Sequence, residues 1–288
     1  MGFRKKIYNK VHELVTHTIG RITKKYYFED YIRVYPDGIV FNRYGHRRKV
    51  FKDDINNFLN HRKFYEFTTQ FVNNKDVLDA GCGSGYGSEL LKKNGARKVS
   101  GSDISEHSIK FAKSRYGHSV DFTIQEITDM MGYQDDSFDI VVANEVLEHI
   151  KEYEMEEKAI GQLKRVTRKK GLLIIGTPNT EMLDSHGFSF DEINALFSRN
   201  FSQYCIFENA FLPFGSKREL WKERLASSKV GAVVSERINL EEAVFPKDNP
   251  PEIKHGIDAG KFKFADYDVD TTLLHNTHSW IVLAVNDK

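Results

Sequence analysis

The chain has 288 residues, 40% of them apolar and 29% charged, enough to bury a full core and large for one simple domain. Two cysteines, Cys82 and Cys205, are too few for a disulfide framework. With Cys82 inside a glycine-rich turn, this usage points to a reducing cytoplasm. No apolar run reaches the roughly 18 residues of a membrane span, and the N-terminus lacks a signal peptide's apolar segment. The net charge of +1 hides an asymmetry: residues 1–63 hold 15 Lys and Arg against 6 Asp and Glu, a front of +9, and the rest hold 27 against 35, a body of −8.

Phe3, Ile7, Val11, Leu14, Val15, Ile19 and Ile22 recur at steps of three and four, with Arg4, Lys5, Lys6, Lys10, Arg21, Lys24 and Lys25 on the polar side. The spacing predicts a basic amphipathic helix. It can pack on the domain with its charges solvated, lie on a membrane or a partner, or touch nucleic acid, and charge alone does not choose. Tyr35-Pro36-Asp37-Gly38 predicts a turn between short β-like runs at 31–35 and 39–41. The segment Asn60-His61-Arg62-Lys63-Phe64-Tyr65-Glu66-Phe67 then reads as a helix, on which His61 and Tyr65, four apart, share one side: they either face a cleft or simply pack.

Val77-Leu78-Asp79-Ala80 is an apolar run ending on an acid, followed by Gly81-Cys82-Gly83-Ser84-Gly85-Tyr86-Gly87 and a helix-like Ser88-Glu89-Leu90-Leu91-Lys92-Lys93. The pattern predicts a buried parallel strand, a glycine turn through which backbone can approach a ligand closely, and a helix whose first N–H groups face that ligand. The dinucleotide fingerprint, with glycines at relative positions 1, 3 and 6, does not fit from either start, so a nicotinamide enzyme is disfavoured. Strands near 76–80, 97–102, 119–124, 137–143 and 171–176 alternate with helices near 86–94, 106–116 and 151–168, which implies a parallel sheet covered on both faces. Ligands of such sheets collect beyond the carboxyl ends of the strands. A helix over 191–198 and strands over 201–208 and 279–285 complete the series. Asn209 to His278 is a long insertion, with a helix expected over 217–228, a rigid turn at 246–251 and aromatic residues Phe262, Phe264, Tyr267 and, just after it, Trp280 that either cover a cleft or enter the core.

Asp79-Ala80-Gly81-Cys82-Gly83-Ser84-Gly85 resembles the first motif of the class I S-adenosylmethionine-dependent methyltransferases. The likeness extends over Gly101-Ser102-Asp103-Ile104-Ser105, Ser137 to Val142, Asn144-Glu145-Val146-Leu147-Glu148-His149 and Gly176-Thr177-Pro178-Asn179, in the family's order, across roughly residues 60–210 and the last strand. The resemblance implies a Rossmann-like α/β fold: a seven-stranded sheet with helices on both faces. Residues 1–59 are then a basic N-terminal extension of helix and hairpin. Residues 60–210 with 278–288 are the cofactor-binding domain, and 211–277 an inserted substrate-side cap. It also implies a cofactor set of Asp79, Gly81, Cys82, Gly83, Gly85, Asp103, Ile104, Glu126, Ile127 and Asn144. In that set Asp103 takes the ribose hydroxyls, Glu126 the adenine amino group, and Asn144 borders the methionine portion. The 60–67 lead-in resembles a subgroup often associated with glycan assembly.

The cofactor implied is S-adenosylmethionine, with S-adenosylhomocysteine as product. Neither the Asn/Asp-Pro-Pro-aromatic run of amine-methylating enzymes on adenine or glutamine nor the Pro-Cys of cytosine-C5 enzymes follows the fourth strand, which disfavours both chemistries. The subgroup-like lead-in and a basic helix that could sit at a membrane make a hydroxyl acceptor the leading expectation. A hydroxyl needs its proton removed during attack, and His149 and then His186 are the candidate bases. Glu145, Glu148, His149 and His186 also resemble the metal quartet of small-RNA 3′-end methyltransferases, so a divalent ion is an alternative to metal-free use of His149 and to a structural role. The leading acceptor is a sugar, glycolipid or other small metabolite, with peripheral membrane contact through the first helix. An RNA 2′-O-methyltransferase is the second reading, and a non-catalytic cofactor-binding protein the third.

Overall fold

The computed structural model describes residues 15, 18–23, 32, 34, 52–180, 187–210, 229–233, 261–264, 267–270 and 277–288. Helix α1 (Lys52–Thr68) leads into strand β1 (Asp76–Ala80), followed by α2 (Tyr86–Lys93), β2 (Lys98–Asp103), α3 (Glu106–Tyr116), β3 (Asp121–Ile124) and β4 (Phe138–Asn144). After these come α4 (Leu147–Lys151), α5 (Glu156–Val166), β5 (Thr167–Pro178), α6 (Phe190–Asn200) and β6 (Tyr204–Ala210). Three short strands, β7 (Lys229–Val233), β8 (Lys261–Phe264) and β9 (Tyr267–Asp270), precede the last, β10 (Thr277–Val285).

The ten strands among the described residues form one sheet in the order β3-β2-β1-β4-β5-β10-β6-β7-β9-β8. The first five of these are parallel, and β10 runs antiparallel between β5 and β6. The seven strands expected from the sequence are therefore present. The described part of the insertion adds three more at the β6 edge, where β7 pairs with β6, β9 with β7 and β8 with β9. The helix expected over 217–228, the turn at 246–251, the 31–41 hairpin and most of the N-terminal helix lie outside the described residues, although 18–23 are helical.

Side chains of the central strands alternate between two cores, one on each face. Val77 of β1 and Ile281, Leu283 and Val285 of β10 join Phe64, Phe67, Leu91 and Ile109 beneath α1, α2 and α3. Leu78, Trp280, Val282 and Ala284 join Ile160, Leu163, Ile193 and Phe197 beneath α5 and α6. Burial on both faces is why these strands read as nearly continuous apolar runs, and each large side chain fully removed from water contributes about 1.5–3 kcal/mol. Trp280 belongs to this core: it is 2% exposed, and its indole N–H donates to the Phe188 carbonyl at 3.0 Å.

One helical expectation needs correction. The helix expected near 151–168 is α5, Glu156–Val166; a short α4 precedes it, separated by residues 152–155, where Glu154 takes a left-handed φ of 55°, and residues 167–168 already belong to β5. A one-residue reversal of this kind leaves no mark on apolar periodicity. Its physical anchor is Tyr153, buried beside Ile150 and Met155, which turns the chain before α5 begins.

Candidate functional site

A cavity of about 370 Å³ opens where β1, β2 and β4 end. Its floor is the glycine turn between β1 and α2. The N–H groups of Gly81 and Cys82 donate to the Ser102 carbonyl at 2.7 and 2.8 Å, which locks this turn to the neighbouring strand. Gly81 has φ +80°, and a Cβ there would stand 2.3 Å from Val146 Cγ2, so close packing against β4's exit excludes any side chain. Gly83 differs: φ is +52°, and a Cβ built on it meets no atom within 4 Å. That open space belongs to the cavity that Gly83 lines.

Asp79, the acid of the first motif, lies beneath this floor and does not line the cavity. It is fully buried, and its carboxylate accepts from the Tyr65 hydroxyl at 3.0 Å and the Ser88 hydroxyl at 2.6 Å. Burial pushes its pKa up to about 6, against the pull of those two hydrogen bonds. Asp79 thus joins α1, β1 and α2 below the turn. Gly85 also lies off the cavity, packed where a Cβ would meet Ala112 and Phe122 at 2.7 and 2.9 Å. Of the expected cofactor set, Gly81, Cys82, Gly83, Asp103, Ile104, Glu126, Ile127 and Asn144 do line it.

Asp103, at the end of β2, accepts from the Gly83 N–H at 2.9 Å and the Ser105 N–H at 2.8 Å. It is not the cap of α3, because the Ser105 hydroxyl performs that service for Ser108. Asp103 also lines the cavity. Glu126 accepts from the Thr128 hydroxyl and borders the same space.

Two buried donors on the wall lack a partner: the Tyr86 hydroxyl and the Asn144 side-chain nitrogen. Burial, and then the nearby Glu145 carboxylate, hold the Tyr86 phenol well above its usual pKa, so it remains a donor. Orphaned buried donors are costly unless a ligand accepts from them. Together with the space above Gly83, they show that the residues present fit a polar cofactor seated over the turn. Tyr86 was legible in the sequence only as the first residue of α2; its unsatisfied hydroxyl was not.

Two imidazoles face the cavity. His149, on α4, stands 3.8 Å from the Glu148 carboxylate, which is almost fully buried and accepts from the Thr177 hydroxyl at 3.2 Å. His61, on α1, lies 2.5 Å from Glu145, and Tyr65, one turn along, borders the cavity as well. His186 lies outside the described residues. Glu145 is engaged by Asn60 and His61, and among the described residues no group of three or more His, Cys, Asp or Glu side chains could hold a metal ion.

Comparison with known proteins agrees with this geometry. Residues 78–175 match the family model described as a methyltransferase domain. A probable S-adenosylmethionine-dependent methyltransferase of Mycolicibacterium smegmatis is 32% identical over 122 residues, 42% of this chain and 45% of that one. The ribosomal protein L11 methyltransferase of Dictyoglomus thermophilum is 38% identical over 120 residues, covering 41% and 38%. The ubiquinone biosynthesis O-methyltransferase of Idiomarina loihiensis is 38% identical over 90 residues, covering 30% and 37%. The chain spans less than half the length of each of these relatives. The matched residues run from the strand before the glycine turn to the strand beside the cavity's far wall, so this part of the chain, the part that builds the cavity, is similar to a methyltransferase domain.

Proposed function

We propose that the protein transfers a methyl group from S-adenosylmethionine to a hydroxyl of a sugar, glycolipid or other small metabolite. The observation that carries this reading is the shared wall: one cavity is bordered both by the glycine turn and by two imidazoles, His61 and His149. In this arrangement Asp103 holds the ribose hydroxyls, Glu126 the adenine amino group, and the unpaired donors of Asn144 and Tyr86 the methionine end. When bound, the cofactor supplies an electrophilic methyl on a sulfonium, whose positive charge is lost as the methyl leaves. The protein's task is mainly to align the acceptor oxygen with the methyl and keep water out. A hydroxyl also needs a base at hand, which the imidazoles provide.

The Idiomarina relative's name, an O-methyltransferase, is in keeping with a hydroxyl acceptor. Support for an acceptor carried on a membrane surface comes from Val15, Ile19 and Ile22, which are 48%, 44% and 78% exposed at helical spacing in the basic front. No helix among the described residues is long and apolar enough to cross a membrane. RNA is the second reading, favoured by the net +9 of residues 1–63. A screen of sugars, nucleotide sugars, lipid extracts and RNA with isotopically labelled methyl donor decides among them. Label in a hydroxyl of a sugar or lipid fraction is the expected result; label confined to RNA, with binding that falls steeply with salt, overturns it.

A further inference from the structure

Its place after the fourth strand makes His149 the first candidate base from the sequence, with His186 the second. The structure instead singles out a pair where α1 meets the end of β4. We infer that His61, held by Glu145, is the group that accepts the acceptor hydroxyl's proton, an inference that rests on the hydroxyl reading above.

His61 Nε2 and Glu145 Oε2 are 2.5 Å apart, and each side chain is only 12% exposed while lining the cavity. The other carboxylate oxygen, Oε1, accepts from the Asn60 side-chain amide at 2.9 Å. Asn60 is itself anchored: its Oδ1 accepts from the Asn209 amide at 2.5 Å and the Ser279 hydroxyl at 3.3 Å, and all three residues are buried. Asn209 and Ser279 lie on β6 and β10, at the two roots of the long insertion. The carboxylate is therefore fixed by α1 directly and by two sheet strands through Asn60. Backbone geometry adds to this. Glu145 holds a left-handed φ of 53°, unusual for a residue with a side chain, and its N–H donates to Gly176 at 2.8 Å. Such a conformation persists only where surrounding contacts over-determine it, and it gathers at functional sites. The Glu148 carboxylate stands farther from His149, at 3.8 Å, than Glu145 does from His61.

The arrangement assigns a direction to the proton. With Nε2–H donated to Glu145, Nδ1 is the basic nitrogen. As the acceptor oxygen's lone pair forms the new O–C bond, its O–H proton passes to Nδ1, and the C–S bonding pair stays on sulfur as the sulfonium becomes a neutral thioether. Glu145 stabilises the imidazolium so formed, and solvent later takes the proton.

A purely structural His61 would only pin α1 to β4. His61→Gln separates the two roles, because its amide can still donate to Glu145 but cannot take a proton. Wild type, His61→Gln and His61→Ala would be compared on a panel of phenol, catechol and methyl glycosides with labelled donor, alongside calorimetry with S-adenosylhomocysteine. The inference predicts that both variants lose about 10²-fold or more in turnover, that affinity for the product cofactor is unchanged, and that added imidazole restores part of the His61→Ala rate. Wild-type turnover in His61→Gln, or a loss that tracks weaker cofactor binding, overturns it. A wild-type enzyme that methylates none of these hydroxyl compounds overturns instead the hydroxyl reading beneath it.

Discussion

Gly81 and Gly83 occupy one turn, two residues apart, yet alanine should act on them in different ways. At Gly81 the added Cβ would sit 2.3 Å from Val146 Cγ2 and 3.3 Å from Cγ1. A β-branched valine has little freedom to rotate away, so overpacking costs about 1–3 kcal/mol, and the left-handed backbone adds about 1–2 kcal/mol. Gly81→Ala should therefore lose about 2–5 kcal/mol of stability. At Gly83 only the backbone contribution applies, because nothing stands within 4 Å of the new methyl. That variant should fold with a loss of about 1 kcal/mol, a fall of a few degrees in melting temperature. Its methyl group enters the space that the cofactor is proposed to fill, so affinity for S-adenosylhomocysteine should fall by at least about tenfold, equivalent to about 1.4 kcal/mol. Thermal unfolding and calorimetry on both variants check this. Equal destabilisation of the two, or a Gly83→Ala protein that binds the product cofactor like wild type, would refute the reasoning that Gly81 serves packing and Gly83 serves the ligand.

Asp103→Asn should weaken product-cofactor binding by about 10- to 100-fold in calorimetry, since a hydrogen bond to a charged group contributes about 1.5–3 kcal/mol. Tyr65→Phe removes one of the two hydroxyls that Asp79 accepts from, and should lower stability by about 1–3 kcal/mol in denaturant unfolding. Asp79 itself makes stability depend on pH. Its folded pKa of about 6 lies above the unfolded value, so between those values the folded state binds more protons. The group's stabilising contribution is thus present below pH ~4 and lost as pH rises through about 6, and unfolding measured from pH 4 to 7 should show that slope in wild type and not in Asp79→Asn. His149→Ala should reduce turnover less than His61→Ala does, and the reverse order in single-turnover assays would return the base to α4.

Most of the sheet could be read from the chain because both its faces are buried. Runs such as Val77-Leu78 and Ile140-Val141-Val142 have no polar face to disguise them, and the glycines and acids that follow mark where strands end. The three strands of the insertion were not legible, since four- or five-residue edge segments such as Lys261–Phe264 carry too few alternations to distinguish a strand from a loop. Within the site, Gly83, Asp103 and Asn144, singled out by local motifs, line the cavity. The same motif placed Asp79 there too, but Tyr65 and Ser88 draw its carboxylate into the interior. The His61–Glu145 pair joins residues 84 positions apart, and neither its contact nor the strained backbone of Glu145 has a local signal. Only the packing of α1 across the end of β4 creates it.

The central claim is that the turn from Gly81 to Gly85 receives an adenosyl sulfonium with its ribose on Asp103. Titration calorimetry of the purified full chain with S-adenosylmethionine, S-adenosylhomocysteine and NAD tests this most directly. The account predicts one site per chain for the first two ligands, weakened in Gly83→Ala and Asp103→Asn, and no uptake of NAD. Binding of NAD in place of both adenosyl compounds, or binding of those compounds that ignores the two substitutions, would contradict it.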